Sequence, residues 1–151
     1  MIKKLFHNIK NIIRWLPIIW RDRDWDYGFI YEILYQKLKN MELFFRSDKV
    51  YAKDALKFAH QIMVAKNLCK RLSEDNYLHN AMFWHDKKYP EPIVFEFEPD
   101  EISGYKKLLP DKNLKRSQSF KKCGEHSRYM KKQDLDYLFK YMRKHIQNWW
   151  D

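Results

Sequence analysis

Apolar side chains recur at helical spacing along most of this chain, and this periodicity limits the possible folds more than any other feature. The clearest segment is 30–46, where apolar residues follow one another every three or four positions. Similar patterns cover 51–72 and 131–149 and, over shorter lengths, 2–14 and 76–86. The 151 residues include three glycines and five prolines, which is few for an all-β protein with many tight turns. The sequence therefore predicts a mainly α protein, a bundle of four to six helices.

The three longest segments each place their apolar residues on one stripe, which we expect to face the core. Ser47 and Asp48 supply a short break between the first two of them, so those two helices should lie antiparallel. The three stripes comprise Ile30, Ile33, Leu34, Leu38, Met41 and Phe45; Ala55, Leu56, Ala59, Ile62, Met63 and Leu72; and Leu135, Leu138, Phe139, Met142, Ile146 and Trp149.

The period changes to two over residues 93–98, where Ile93, Phe95 and Phe97 alternate with Val94 and two glutamates. Strict alternation over six residues predicts a strand. A single strand cannot satisfy its backbone groups, so it needs a partner, either a short strand near 104–109 or another subunit. The few glycines favour at most one small β-hairpin, near 92–109.

The charge of the chain is unevenly distributed. The formal net charge is +10, and residues 103–151 carry 13 basic and 5 acidic side chains, a net of +8. A basic C-terminal third favours an anionic partner such as nucleic acid, a nucleotide or a membrane surface. A solvated, lysine-rich surface is the alternative. We expect one domain over 1–151, with a mobile basic segment at about 103–128 that is partly loop.

Residues 2–14 form an amphipathic pattern with Leu5, Ile9 and Ile13 on one face. Two interpretations compete: an interfacial membrane helix, or a helix that packs on its own domain or on a second copy. We favour packing because the polar face is not strongly charged. Pro17 should end this helix, leaving 15–20 as a buried apolar connector. No stretch approaches the length of a spanning helix and there is no signal-peptide pattern, so we expect no membrane partner.

Signatures of catalysis and of metal binding are absent from the sequence. There is no glycine-rich phosphate loop, no Cys-x-x-Cys or His-Glu-x-x-His spacing and no Gly-x-Ser-x-Gly elbow. His85-Asp86, with His60 and His79 upstream, superficially resembles the metal ligands of a phosphohydrolase. Nothing in the spacing requires a metal site, and we favour the simpler explanation that these are polar residues near a helix end. We therefore expect no catalysis, no metal and no cofactor, and the two cysteines fit a reducing cytoplasm.

The segment Trp20–Tyr27 combines two arginines, three aspartates and three aromatic residues. Arginine binds phosphate bidentately, and tryptophan or tyrosine offers a face on which a base can stack. If the segment is extended, Arg21 and Arg23 share one face while the aspartates lie on the other and cap the next helix. The alternative is that the aromatic residues are core and the arginines form salt bridges with the aspartates.

Two stretches resemble a mostly uncharacterised family of small tailed-bacteriophage proteins. They are Trp-Arg-Asp-Arg-Asp-Trp-Asp at 20–26 and the ending at 129–151, which closes on Trp-Trp-Asp. The resemblance covers 10–86 and 126–151 and carries over no binding residues. It implies a phage origin and action in the host bacterial cytoplasm. Small phage accessory proteins often antagonise host defence, some of them by sequestering nucleotide immune signals.

The sequence thus favours a non-enzymatic phage protein that captures a nucleotide-type ligand. One alternative is a nucleic-acid-binding protein, which the +8 balance favours. Another is an inhibitor that docks on a host defence protein through aromatic residues of 77–86 and 149–150. The strand without an assigned partner and the amphipathic first helix are also consistent with a homo-oligomer. The predicted ligand-binding residues are Trp20, Arg21, Arg23, Trp25, Tyr27, Lys115, Arg116, Lys121, Lys122 and Trp150.

Overall fold

The computed structural model describes residues 2–48, 50–91, 96–99, 104–109 and 113–149, without the side chains of 2–4 and 7. Within these residues the chain is mainly helical, with one small two-stranded sheet, as predicted. The elements are α1 (Ile2–Ile19), α2 (Gly28–Phe45), α3 (Ala55–Glu74), α4 (Tyr77–Lys88), β1 (Phe97–Pro99), β2 (Lys106–Leu108), α5 (Leu114–His145) and a closing 3₁₀ helix (Ile146–Trp149).

Contacts between Cα atoms divide the chain into two compact units. Unit 1 comprises residues 1–74 and 134–151, and unit 2 comprises residues 75–133. Unit 1 therefore holds α1, α2, α3 and the last part of α5, whereas unit 2 holds α4, the sheet and the first part of α5. The single domain expected over 1–151 stays a prediction.

The centre of unit 1 is an antiparallel hairpin of α2 and α3. Phe45 meets Phe58 with ring centroids 5.7 Å apart, and further along the hairpin Glu42 contacts Lys66. Contacts thus move back along α2 as they advance along α3, which confirms the predicted orientation. Small residues on α3 let the helices approach closely. The buried apolar residues of the hairpin are Phe29, Leu38, Met41, Phe45, Ala55, Ala59, Ile62, Ala65, Leu68, Cys69 and Leu72.

A buried carboxylate joins the two helices. Glu42 is 9% exposed; its Oε1 accepts a hydrogen bond from Arg46 Nε at 2.9 Å, and its Oε2 accepts one from Lys66 Nζ at 2.6 Å. Burial opposes ionisation and by itself raises the pKa of Glu42. The hydrogen bonds from Lys66 and Arg46, with their positive charges, outweigh that effect, so the pKa lies below its ordinary value.

The last part of α5 and the 3₁₀ helix pack on α3. Arg71 Nη2 contacts both carboxylate oxygens of the buried Asp134, at 2.8 and 2.6 Å. Trp149 is 1% exposed, and its indole Nε1 donates a hydrogen bond to Gln61 Oε1 at 3.1 Å. Leu138 is fully buried between these two attachments in the sequence. One ion pair and one indole therefore fix the C-terminal segment to the hairpin.

In unit 2 the sheet is the predicted hairpin, with Phe97 opposite Leu108. Residues 92–95, which include the first part of the predicted strand, lie outside the described residues. Lys131 on α5 binds Asp75 at the start of the unit, with 2.7 Å between Nζ and Oδ2. This ion pair links the residues that precede α4 to α5.

The expectation that Pro17 ends the first helix is wrong. The helix continues to Ile19, and Trp20 N donates to Leu16 O at 2.9 Å. A proline removes its own backbone donor, and here the turn that follows it still forms. The segment 15–20 is therefore helical, and it is not a buried connector, because the Trp20 side chain is 81% exposed.

The start of the last helix was also predicted wrongly, at about residue 131. Asn113 caps the observed helix: its Oδ1 accepts a hydrogen bond from Arg116 N at 3.1 Å. Gly124 and the nearby serines suggested a loop, but glycine and serine can occupy helix interiors at a cost of about 1 kcal/mol or less each. The segment expected to be partly loop is thus helical from Leu114, and its mobility stays a prediction.

Some residues of the predicted stripes are exposed, because each stripe is wider than the surface that its neighbour covers. Leu56 on α3 is 72% exposed, and Ile30 on α2 and Phe139 on α5 are more than half exposed. The helical period identified these helices correctly. It does not show how much of each apolar face the neighbouring helix covers.

Replacement of Gly124 by alanine should stabilise the protein. A Cβ at this position meets no atom within 4 Å, and a glycine inside a helix costs about 0.5–1 kcal/mol relative to alanine. Denaturant unfolding of Gly124→Ala should show a gain of about that size. Gly104→Ala is the control, because its backbone φ of +70° strains an alanine, and it should be destabilising. A loss of stability in Gly124→Ala would contradict the helix described there.

Replacement of Glu42 by glutamine should destabilise the protein at neutral pH by about 1–3 kcal/mol, because it removes the charge that pairs with Lys66 and Arg46. The folded-state pKa of Glu42 is lowered, so its contribution is present above the unfolded-state pKa and is lost as the pH falls through the folded-state pKa. The difference between wild type and Glu42→Gln should therefore shrink as the pH falls below about 4.

The control is Glu74→Gln, which breaks an exposed pair with Lys70 at 3.5 Å and should change stability by less than about 1 kcal/mol. Equal effects of the two substitutions at neutral pH would show that burial adds nothing to the Glu42 interaction.

Candidate ligand-binding segment

The segment Trp20–Tyr27, here called the arginine–tryptophan segment, connects α1 to α2 through a series of turns. Arg21 N donates to Ile18 O and Asp22 N donates to Ile19 O, both at 3.1 Å. Asp26 N then donates to Arg23 O at 2.8 Å. These bonds satisfy carbonyl groups at the end of α1, which an extended chain would leave unpaired. The alternation of arginines and aspartates on opposite faces of an extended chain is therefore not observed.

One aspartate of the segment contacts the start of α2. Asp26 Oδ1 accepts a hydrogen bond from Gly28 N at 2.8 Å, and Asp26 O accepts one from Phe29 N at 3.1 Å. A Cβ on Gly28 would lie 2.9 Å from Asp26 Oδ1, so the glycine leaves room for the carboxylate. Asp26 therefore contacts the backbone at the start of α2, but the N-cap position is Tyr27, no side chain caps the helix, and its first turn holds no acidic residue. The N-cap and first-turn roles expected for the aspartates are therefore not observed.

Both tryptophans of the segment are open to solvent. Trp20 and Trp25 are 81% and 82% exposed, and Tyr27 is also mostly exposed. Arg21 Nε donates to Pro17 O at 3.2 Å. Within the part of the chain that the structure describes, no ion pair involves Arg21 or Arg23. The segment therefore differs from the alternative in which its aromatic residues are core and its arginines are neutralised.

Arg21 lies at the edge of a shallow hollow of about 220 Å³ in unit 1. Lys70 also lines it but is paired with Glu74, so Arg21 is the cation without a carboxylate partner among the lining residues. Sequence reasoning missed this hollow, because α2 and α3 reach Arg21 only through the tertiary fold. Its lining residues are Ile18, Arg21, Glu32, Tyr35, Gln36, Lys70, Ser73 and Glu74.

The four basic residues predicted at 115–122 lie on the first turns of α5, in unit 2. Lys115 and Lys122 are seven positions apart and share one face, whereas Arg116 and Lys121 lie on two other sides of the helix. The helix therefore does not bring all four together on one face. Trp150, the remaining predicted ligand-binding residue, lies outside the described residues.

A second basic hollow, of about 690 Å³, lies along α5 in unit 1 and was not predicted. It is lined by Phe139, Lys140, Arg143 and Lys144. The spacing of three and four residues places these basic side chains on one side of the helix. The hollow is a further candidate for an anionic group.

The histidines considered as metal ligands are not grouped. His85 is buried, and its Nδ1 lies 3.0 Å from Ser119 Oγ. His60 and His79 are exposed. Among the residues that the structure describes, no group of three or more histidine, cysteine or acidic side chains could hold a metal ion. His85 is thus a buried polar residue of unit 2 with a hydrogen-bond partner.

Burial also determines the chemistry of one cysteine. Cys69 is fully buried on α3, and burial raises the pKa of its thiol to about 12. A thiol of that pKa is protonated at neutral pH and is a poor nucleophile. Cys69 is therefore a core residue.

None of the helices in the described part of the chain has the length and apolar character needed to cross a bilayer. Comparison with protein-family models, with curated proteins and with solved structures gives no match to this chain.

Proposed function

We propose that this chain captures a nucleotide through the arginine–tryptophan segment and holds it without converting it. In this proposal it is an accessory protein of a tailed bacteriophage, and it acts in the host bacterial cytoplasm by sequestering a nucleotide immune signal. One observation carries the proposal: two exposed indoles accompany two arginines that have no carboxylate partner among the described residues.

The chemistry of the segment suits the two parts of a nucleotide. A guanidinium binds phosphate through two parallel hydrogen bonds, and Arg21 and Arg23 would break no salt bridge to do so. Stacking of a base on an aromatic side chain contributes about 1–3 kcal/mol and tolerates any base. Trp20 and Trp25 can provide such faces because both indoles are open to solvent.

The hollow beside Arg21 supports the same assignment. Its lining includes hydroxyl and amide groups from Tyr35, Gln36 and Ser73, which can bond the edge of a base. Glu32 also lines it, and carboxylates accept hydrogen bonds from ribose hydroxyls in nucleotide sites. A ligand with phosphate on Arg21 and ribose in the hollow therefore finds partners of the correct type for each group.

Nucleic-acid binding is the second candidate, and the helical form of α5 favours it. Lys121, Arg128 and Lys132, at spacings of seven and four residues, are exposed on one side of the first part of this helix. A row of cations on a helix is a general means of binding a phosphate backbone. Its affinity would fall steeply with salt, whereas stacking of a mononucleotide would change less.

Isothermal titration against a panel of cyclic nucleotides, cyclic dinucleotides and ADP-ribose-type nucleotides tests the proposal. We expect binding of at least one class, and we expect the double variant Arg21→Ala/Arg23→Ala to bind it at least about tenfold more weakly, because two charge-assisted contacts are lost. The matched control is Lys53→Ala/Lys57→Ala, which removes two exposed cations from the start of α3 and should keep the wild-type affinity.

Mass spectrometry of the released ligand separates capture from turnover: the proposal requires the nucleotide to be recovered unchanged. Absence of heat with every nucleotide of the panel would reject it. Binding of DNA or RNA with a steep salt dependence, unchanged by the arginine substitutions, would favour the second candidate instead.

A further inference from the structure

The apolar face of α1 is exposed along its described length. Its members lie at spacings of three and four residues, so they form one continuous stripe on the helix. None of them is buried, and their exposed fractions run from 46% for Ile9 to 73% for Phe6. We call this stripe the α1 apolar face; its residues are Leu5, Phe6, Ile9, Ile12, Ile13, Leu16 and Ile19.

The opposite side of α1 is the one that meets the rest of unit 1. Asn11, Trp15 and Ile18, at spacings of four and three, are half-buried, and Ile18 lines the hollow that contains Tyr35 and Lys70. The helix is therefore attached by this ridge and holds its apolar face away from the hairpin. Burial of apolar surface contributes about 25 cal/mol per Å² of favourable free energy, so binding of another surface to the exposed α1 apolar face would be favourable.

The charge around the α1 apolar face indicates what covers it. Residues 1–21 contain five cations and no acidic residue: Lys3, Lys4, Lys10, Arg14 and Arg21. Lys10 and Arg14 are exposed and border the apolar face on one side. A second copy of α1 would bring five more cations and no carboxylate, whereas anionic lipid headgroups supply the missing negative charge.

We propose that α1 binds the surface of a bilayer that contains anionic lipid, lying in the plane of the interface. The apolar side chains enter the boundary between headgroups and acyl chains, and Lys10 and Arg14 contact lipid phosphates. The cations in the middle of the helix prevent it from spanning the bilayer, in agreement with its hydropathy. This differs from the sequence-based expectations of no membrane partner and of packing within the protein, and it is independent of nucleotide capture.

Co-sedimentation with lipid vesicles tests this proposal on the full chain. The protein should sediment with vesicles of phosphatidylcholine containing about 30% phosphatidylglycerol, bind pure phosphatidylcholine at least about tenfold more weakly, and dissociate as salt is raised. The double variant Ile9→Glu/Ile13→Glu should lose binding. The matched control is Tyr51→Glu/Leu56→Glu, which makes the same charge change at two exposed apolar residues elsewhere and should reduce binding much less.

A second variant separates the charge contribution from the apolar one. Lys10→Gln/Arg14→Gln keeps the apolar face, and its affinity for the anionic vesicles should fall toward that for pure phosphatidylcholine. Circular dichroism and sedimentation equilibrium on each variant show whether folding or self-association has changed. Two results would overturn the proposal: no binding to anionic vesicles, or a wild-type dimer that Ile9→Glu/Ile13→Glu dissociates and that does not bind lipid.

Discussion

The close packing of α2 on α3 is the interaction on which the rest of unit 1 depends. Alanines such as Ala59 and Ala65 on α3 are fully buried, and their small side chains allow a neighbouring helix to approach closely. Other parts of unit 1 then contact this hairpin. The end of α5 attaches to α3 through Asp134 and Trp149, and the hollow beside Arg21 has walls from both α2 and α3.

Charged side chains occur in two different environments in the described part of the molecule, buried in ion pairs and exposed without a carboxylate partner. Inside unit 1, the carboxylates of Glu42 and Asp134 are buried and each is paired with cations at 2.9 Å or less. Removal of one partner from such a pair leaves a buried charge, so these pairs specify how the elements meet. On the surface, Arg21 and Arg23 have no carboxylate partner among the described residues, although three aspartates are close in sequence. Cations that folding leaves unpaired remain available to a ligand.

The two proposals concern neighbouring parts of the chain but different chemistry. Nucleotide capture uses guanidinium groups, indole faces and a polar hollow, whereas lipid binding uses a continuous aliphatic stripe bordered by cations. The α1 apolar face ends at Ile19, and the arginine–tryptophan segment begins at the next residue. A protein held at a membrane surface by α1 would thus present the segment close to the headgroups, and the variants designed for the two proposals share no residue.

Sequence periodicity alone located most of the helices, because a helix satisfies its own backbone hydrogen bonds and shows its apolar face as a local period. It also predicted the hairpin at Phe97 and the antiparallel α2 and α3. It did not predict that the first helix would continue through Pro17, that α5 would begin at Leu114, or that Tyr27 rather than an aspartate would hold the N-cap position of α2, since these details depend on how the backbone groups of neighbouring turns are hydrogen-bonded. The exposure of Trp20, the burial of His85 and the position of Tyr35 and Lys70 beside Arg21 follow instead from tertiary packing. Burial and proximity depend on which surface each helix meets, and residues distant in the chain provide that surface.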